Sequence, residues 1–184
     1  MNPLIVRSGT TTQIILRVVE MLEKKHVALK KSYEKPIVCF DVDECLLEWT
    51  GPHTSRKRKD VAPLYEATKK LGFDLYIITA RPKTNGGLAY LRNQLSELGY
   101  DPGVFEKLYM MPREYNDPGV FKSDARAHIM RQTGKDIVLM VGDQPTDVLK
   151  DPDSAGISFA KTRAYIVSNP DNGLLLGVKV SQID

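Results

Sequence analysis

Two carboxylates follow an apolar run and form the clearest chemical feature of the sequence. The run Ile37-Val38-Cys39-Phe40 has the β-branched and aromatic content of a strand buried on both faces, and Asp41 and Asp43 come directly after it. Because ionised carboxylates are rarely buried without a partner, this pair indicates a bound cation or a role in proton transfer. The alternative is a pair of aspartates that only caps a loop.

Further polar residues stand where other strands are predicted to end. Thr79 and Arg81 close the second predicted strand, Asp143 and Asp147 follow the fourth, and Lys122 stands just before the helix that leads into the fourth. Taken singly, each has an ordinary structural explanation as a β-former, a turn residue or a solvated lysine. In an open parallel sheet, however, the carboxyl ends of the strands share one edge, where ligands bind. The sequence therefore predicts that these side chains form one site.

The residue types at this edge suit phosphate chemistry. Asp41, Asp43 and Asp143 would repel one another unless a hard cation neutralised them, and oxygen ligands with open positions favour Mg²⁺. Lys122 and the Thr79 hydroxyl could then hold the oxygens of a phosphate dianion. Asp41 is predicted to attack phosphorus and form an aspartyl-phosphate. Asp43 is predicted to protonate the leaving oxygen and later to deprotonate the attacking water.

The elements predicted around these residues alternate between strand and helix. Strands are predicted at 37–40, 75–79, 107–111 and 137–141, with a weaker one near 157–161. Helices are predicted at 63–71, 88–98 and 124–133, the last with Ser123 as its N-cap, and 46–59 is predicted to be an exposed loop or short hairpin. This order predicts an α/β fold, a Rossmann-like open parallel sheet with helices on both faces.

Apolar residues at helical spacing within 12–31 predict an extra amphipathic helix before the sheet. It is expected to pack on the main domain or on a second subunit, which would give a homodimer. The expected organisation is an N-terminal helical arm over 1–34, a catalytic core over 35–168 and a C-terminal tail over 169–184.

Composition indicates an ordinary globular protein. A chain of 184 residues with 42% hydrophobic and 27% charged residues fits one domain with a peripheral arm. The net charge of +3 does not by itself imply nucleic-acid binding, although it permits anionic substrates. The two cysteines, Cys39 and Cys45, read as small buried hydrophobes. With no leader-like segment and no long apolar stretch, we expect a cytoplasmic protein without a membrane partner.

The motifs resemble those of the haloacid dehalogenase superfamily of aspartate-nucleophile phosphatases. Its Asp-x-Asp-x-Thr/Val motif is similar to 41–45, with Cys45 in the last place, where we expect only a packing change. Its second and third motifs are similar to Thr79 and Lys122, and its Gly-Asp-x-x-x-Asp motif is similar to 142–147. Over roughly 36–165 the chain looks like the subfamily IIIB acid phosphatases, which include plant vegetative storage proteins and bacterial class B-like and class C-like enzymes. The order of motifs is also similar to that of polynucleotide kinase-phosphatase domains.

The resemblance implies a haloacid dehalogenase-like core and a magnesium site. It assigns Asp41, Asp43, Thr79 and Lys122 as catalytic residues and Asp41, Asp43, Asp143 and Asp147 as the metal group, with Asp147 also near Lys122. Because core elements already fill the intervals between the motifs, we expect no large cap domain. An open site would admit bulky substrates.

Three functions are consistent with these residues. The leading one is a Mg²⁺-dependent phosphomonoesterase acting on nucleotides or other small phosphoesters. The second is a phosphatase for nucleic-acid 3′-phosphate ends or phosphoproteins, favoured by the basic run 56–59, whose alternative is a solvated surface. The third is a catalytically silent binding or storage protein, although the sequence keeps Asp41. Arg81, Trp49 and His53 are the predicted substrate-binding residues.

Overall fold

The computed structural model describes residues 19, 20, 23, 35, 37–59, 61–135, 137–148 and 173–175. The elements up to the middle of the chain are β1 (Ile37–Phe40), β2 (Leu47–Gly51), β3 (Thr54–Lys57), α1 (Ala62–Leu71), β4 (Asp74–Pro82) and α2 (Gly87–Glu97). They are followed by β5 (Phe105–Met111), α3 (Pro118–Thr133), β6 (Ile137–Gly142), the short α4 (Pro145–Val148) and β7 (Gly173–Leu175).

Five of the strands form one sheet in the order β5-β4-β1-β6-β7, and every neighbouring pair is parallel. β1 lies at the centre, where Phe40 is in register with Ile77 of β4 and Val141 of β6. The carboxyl ends of the strands therefore share one edge, which carries Asp41 and Asp143. The predicted α/β fold with a parallel sheet is confirmed.

Helices cover both faces of this sheet, as the apolar character of its central strand predicts. Val38 and Phe40 of β1 pack in a cluster with Leu64 of α1 and Leu91 of α2. Ile37 and Cys39 point to the other face and pack with residues of α3, namely Phe121, Ala125 and Ile129. The strand that carries Asp41 is thus enclosed by apolar side chains on both sides.

The predicted start of α3 is wrong, and so is the assignment of Ser123 as its N-cap. The helix begins at Pro118, and the Asp117 side chain accepts hydrogen bonds from the backbone N–H groups of Gly119 at 2.6 Å and Val120 at 3.3 Å. An aspartate followed by proline suits the N-cap and first helical positions, since proline lacks the N–H that would be unpaired there. Lys122 consequently lies inside the helix, in its second turn, rather than ahead of it.

The segment after β1 is a hairpin, one of the two forms predicted for it. β2 and β3 pair in antiparallel register, with Trp49 opposite Ser55 and Glu48 opposite Arg56. Cross-strand partners share a face, so Trp49 and Ser55 lie on one side and Glu48 and Arg56 on the other. Among the described residues, the segments that join β1 to β4 and β4 to α3 contain no inserted domain beyond this hairpin and the core elements.

The two ends of the chain are described in part. Most of the predicted N-terminal helix lies outside the described residues; Val19, Glu20 and Glu23 are helical, and Val19 packs against the cluster on the α1 and α2 face. The predicted strand near 157–161 also lies outside them, whereas β7 occupies a segment for which no strand was predicted. In the part of the chain that the structure describes, no helix is long and apolar enough to cross a membrane.

Candidate functional site

The site is centred on the residue that follows β1. The backbone N–H of Asp41 donates to the carbonyl of Val141 at 2.9 Å, which extends the pairing of β1 with β6. Its side chain is 6% exposed, and its Oδ1 accepts a hydrogen bond from Lys122 Nζ at 2.9 Å. The same Nζ also donates to Oδ1 of Asp147, which is likewise buried. One buried ammonium group is therefore shared by two buried carboxylates.

The buried charged groups shift one another's pKa values. Burial and the neighbouring charge of Asp147 raise the pKa of Asp41 to about 7, although Lys122 opposes them. Burial works to lower the pKa of Lys122, but the charges of Asp41 and Asp147 outweigh it, so that this pKa is raised. Burial is also the main cause of the raised pKa of Asp143. These carboxylates are held together at an electrostatic cost that a further cation would relieve.

The carboxylates lie close enough to share a ligand. One oxygen each from Asp41, Asp143 and Asp147 lies within 4.8 Å of the other two. Lys122 neutralises only one of the three negative charges that the ionised groups would carry. A set of hard carboxylate oxygens with this residual charge is the kind of donor set that fits Mg²⁺.

The loop after β6 is built to present Asp147. Gly142 is required because a Cβ atom at this position would clash with the Asp147 side chain. Asp147 Oδ2 accepts from the backbone N–H of Gln144 at 2.8 Å. From α3, Arg126 Nη1 donates to the carbonyls of Thr146 at 3.0 Å and Asp147 at 3.1 Å. The loop and α3 thus fix the carboxylate that holds Lys122.

Thr79 lies near the end of the neighbouring strand, β4. It is two residues beyond Ile77, the register partner of Phe40, and its side chain is buried. Its Oγ1 accepts a hydrogen bond from the backbone N–H of Arg81 at 3.3 Å. The register of the two strands therefore places Thr79 one residue beyond the level of Asp41.

Asp43 is placed differently from the other three carboxylates. Arg81 binds it through two hydrogen bonds, Nη2 to Oδ1 at 2.6 Å and Nε to Oδ2 at 2.8 Å, and Trp49 Nε1 donates to Oδ1 at 3.2 Å. Burial works to raise the pKa of Asp43, but the bonds and charge of Arg81 outweigh it and lower this pKa. Arg81 Nη1 also donates to Gln94 Oε1 at 2.7 Å. Among the described residues, Asp43 is therefore grouped with Arg81 and Trp49 and lies outside the cluster of three.

A cavity of about 360 Å³ begins at Asp43 and Arg81 and lies between the hairpin and α2. The three predicted substrate-binding residues, Arg81, Trp49 and His53, all line it. A second cavity of about 390 Å³ continues from it along α2 and shares five of its lining residues, His53, Thr54, Ser55, Tyr90 and Gln94. We call the two together the hairpin groove.

The basic run 56–59 is largely engaged within the protein. Arg56 Nε pairs with Glu48 at 2.9 Å. Lys57 Nζ donates to the carbonyl of Gly99 at 3.1 Å and lies 4.4 Å from the centre of the Tyr100 ring. The guanidinium of Arg58 donates to the carbonyl of Glu44. Three of the four basic residues of the run therefore have partners within the chain, while the Arg56 side chain stays exposed.

Three residues of this region were not found by sequence reasoning. Arg126 supports the Asp147 loop, while Tyr90 and Gln94 line the hairpin groove. Helical spacing could have indicated two of them, because Arg126 lies one turn after Lys122 and Gln94 one turn after Tyr90, on the same helix face in each case.

Comparison with known proteins does not assign the chain to a family. No protein-family model matches the chain, and no curated protein matches it.

Proposed function

We propose that this chain is a Mg²⁺-dependent phosphomonoesterase of the haloacid dehalogenase type, with Asp41 as its nucleophile. The observation that carries the proposal is the shared ammonium group of Lys122, 4% exposed, between Asp41 and Asp147. A lysine enclosed in this way orients a carboxylate at the end of a core strand and keeps a positive charge where an anion can approach. Asp143 completes the acidic cluster at the same edge of the sheet.

Each residue has a distinct role in the proposed reaction. Asp41, Asp143 and Asp147 would hold Mg²⁺, which supplies positive charge against the phosphate oxygens when bound. Lys122 and Thr79 bind further phosphate oxygens. A carboxylate oxygen of Asp41 forms a bond to phosphorus as the bond between phosphorus and the leaving oxygen breaks.

Asp43 serves the proton transfers of the two half-reactions. In the first half Asp43, once released from its bonds to Arg81 and protonated, donates that proton to the leaving oxygen, which departs as an alcohol; its lowered pKa makes this release a precondition of the step. In the second half it takes a proton from water, whose oxygen attacks phosphorus and releases Asp41 and inorganic phosphate. Arg81 holds Asp43 at the inner end of the hairpin groove, where a leaving group would lie.

The structural arrangement favours a small phosphoester over a nucleic-acid end or a phosphoprotein. Of the basic run 56–59, which motivated the polymeric alternative, Arg56, Lys57 and Arg58 have partners within the chain. The storage-protein alternative is disfavoured because Asp41 and Lys122 are both present and in contact. A buried ion pair adds little net stability, so a purely structural role explains the pair poorly.

Hydrolysis by the purified protein tests the proposal. With Mg²⁺ we expect turnover of small phosphomonoesters and loss of turnover on chelation by EDTA. Asp41→Asn should keep the native circular dichroism spectrum and lose at least ~10³-fold in turnover, because it removes the covalent catalyst. Asp101→Asn makes the same chemical change before β5, at the opposite edge of the sheet, and should keep full activity. Substantial turnover by homogeneous Asp41→Asn protein would refute the assignment.

A further inference from the structure

The hairpin groove has aromatic walls that the catalytic roles do not explain. Trp49 is 59% exposed and Tyr90 is 63% exposed, and both line its inner part. The buried side chains of Leu91 and Met110 lie beneath them. Open aromatic faces beside a catalytic carboxylate are suited to a flat group that stacks on them.

Trp49 is held firmly in relation to the reacting groups. Its indole N–H bonds to Asp43 at 3.2 Å, and its backbone N–H bonds to Glu44 Oε1 at 2.9 Å. Asp43 is the residue proposed to protonate the leaving oxygen. Any group attached to that oxygen therefore starts next to the Trp49 ring and extends along the groove toward Tyr90.

The groove is poor in positive charge. In its inner part, Arg81 is already paired with Asp43. In its outer part, no lysine or arginine is among the lining residues that the structure describes, and Glu97 is the acidic residue there. A second phosphate group would meet no cation and would approach this carboxylate, so a polyanion is disfavoured.

Neutral hydrogen-bonding side chains complete the outer wall. Thr54, Ser55, Asn93 and Gln94 all line it, together with His53. Hydroxyl and amide groups of this kind can bond to the edge of a heterocyclic base and to sugar hydroxyls. Among the described lining residues, the groove thus combines stacking surface and hydrogen-bonding groups with a lack of unpaired positive charge.

We propose that the hairpin groove binds the nucleoside of a nucleoside monophosphate, with the base stacked against Trp49 or Tyr90 and the phosphate at Asp41. The proposal rests on the phosphomonoesterase function proposed above and adds its leaving group. The groove is expected to accept substrates with a single phosphate group, so that oligonucleotides and bisphosphates are poor substrates.

Substrate comparison provides the first test. We expect adenosine monophosphate to have a higher kcat/KM than glycerol phosphate, which lacks a ring, and than adenosine 3′,5′-bisphosphate. Tyr90→Ala should lower kcat/KM for the nucleotide at least about fivefold, the lower end of base stacking on an aromatic residue, and leave glycerol phosphate unaffected. Tyr90→Phe should restore it. Val120→Ala removes an exposed apolar side chain that does not line the groove and is the control.

Reversing one charge tests the discrimination against polyanions. Glu97→Lys places a cation on the outer wall and should raise kcat/KM for the bisphosphate more than for the monophosphate. The gain should shrink as salt concentration increases. A bisphosphate that is already preferred by the unaltered protein would overturn the proposal.

Binding of the nucleoside alone separates this inference from the proposed reaction. Trp49 is the only tryptophan in the sequence, so its fluorescence reports directly on the groove. Adenosine should change this fluorescence saturably, and Tyr90→Ala should weaken the binding. If phosphoesters are hydrolysed without nucleoside preference and adenosine gives no signal, the groove assignment is wrong and the phosphatase proposal stands. If no phosphoester is hydrolysed but adenosine still binds, the reaction is wrong and the groove assignment stands.

Discussion

The four aspartates of the site differ in burial and in bonding partners. Asp41 and Asp147 are buried against the Lys122 ammonium group. Asp43 lies nearer the surface and forms an ion pair with Arg81. Asp143 accepts a hydrogen bond from the Gln144 side chain at 2.8 Å. The identity of a residue thus says less about its role than the charges within reach of it.

Asp143 and Asp147 should differ in what their removal costs. Both oxygens of Asp147 have partners within the chain, Lys122 and the Gln144 backbone, so part of its role is to hold Lys122. Asp143→Ala should raise the half-saturating Mg²⁺ concentration about tenfold or more, because it removes a charged ligand. Asp147→Ala should have a smaller effect on Mg²⁺ and lower the free energy of unfolding by about 3–5 kcal/mol, since it leaves a buried cation with one partner fewer.

Activity measured across a Mg²⁺ series and urea denaturation of the metal-free protein would check this division. Asp101→Asn is the control for both measurements. Equal Mg²⁺ requirements and equal stabilities in the two variants would rule the division out.

At the scale of residues, sequence reasoning located the groups that lie close to strand ends. Asp41, Lys122, Asp143 and Asp147 were expected to share an edge, and the structure brings them together. The pairing of Asp43 with Arg81 was not predicted, because it depends on side-chain directions in two separate elements rather than on spacing. Stacking surfaces such as Tyr90 were missed for the same reason.

Two arginines of the hairpin region, Arg56 and Arg58, have different structural roles. Arg58 donates to the carbonyl of Glu44, a residue that directly follows Asp43 and has a positive φ of 51°. Arg56 forms an exposed pair with Glu48 on the face that points away from the groove. Arg58 therefore holds the strained backbone of Glu44 beside the site, whereas Arg56 forms only a surface ion pair.

Alanine substitution of these two arginines should separate the tasks. Arg58→Ala should lower the free energy of unfolding by about 1.5–3 kcal/mol, the range for a hydrogen bond that involves a charged group. Arg56→Ala, the matched control in the same run of sequence, should change it by at most ~0.5 kcal/mol. Urea denaturation of both variants measures the difference. Equal losses would mean that Arg58 does not anchor the hairpin.

Element boundaries were harder to predict than element types. Ser123 as an N-cap predicts a helix from Asp124, whereas the helix begins six residues earlier, at Pro118. Asp117 followed by proline is the stronger signal for a helix start. The three-residue strand β7 had no periodicity long enough to detect.

Across the whole molecule, the buried acidic cluster should couple stability to pH and metal. The pKa of Asp41 is raised from 3.8 to about 7, so the folded state binds more protons than the unfolded state between these values. Stability of the metal-free protein should therefore fall as pH rises through this window. Asp43, whose pKa is lowered, contributes in the opposite sense, with stability that is lost only as the pH falls through its reduced value.

Thermal unfolding in EDTA and in Mg²⁺ at two pH values tests this coupling. Because Mg²⁺ competes with protons for the carboxylates, it should raise Tm more at pH ~8 than at pH ~5. Asp143→Ala should reduce the Mg²⁺-dependent shift at the higher pH. Equal shifts at both pH values in the unaltered protein would contradict the coupling.

The central place of β1 in the sheet has a consequence for how the chain reaches its native state. β1 can pair with β4 soon after both are synthesised, but its other edge is covered only by β6, and Cys45 Sγ bonds to the Val141 carbonyl 96 positions away. Until then the nascent chain presents an apolar strand edge open to aggregation. Pairing between segments this far apart in sequence is expected to slow folding. The carboxylates of Asp41 and Asp143 meet only when β6 docks, so a chain truncated before β6 would expose that edge and lack the acidic cluster altogether.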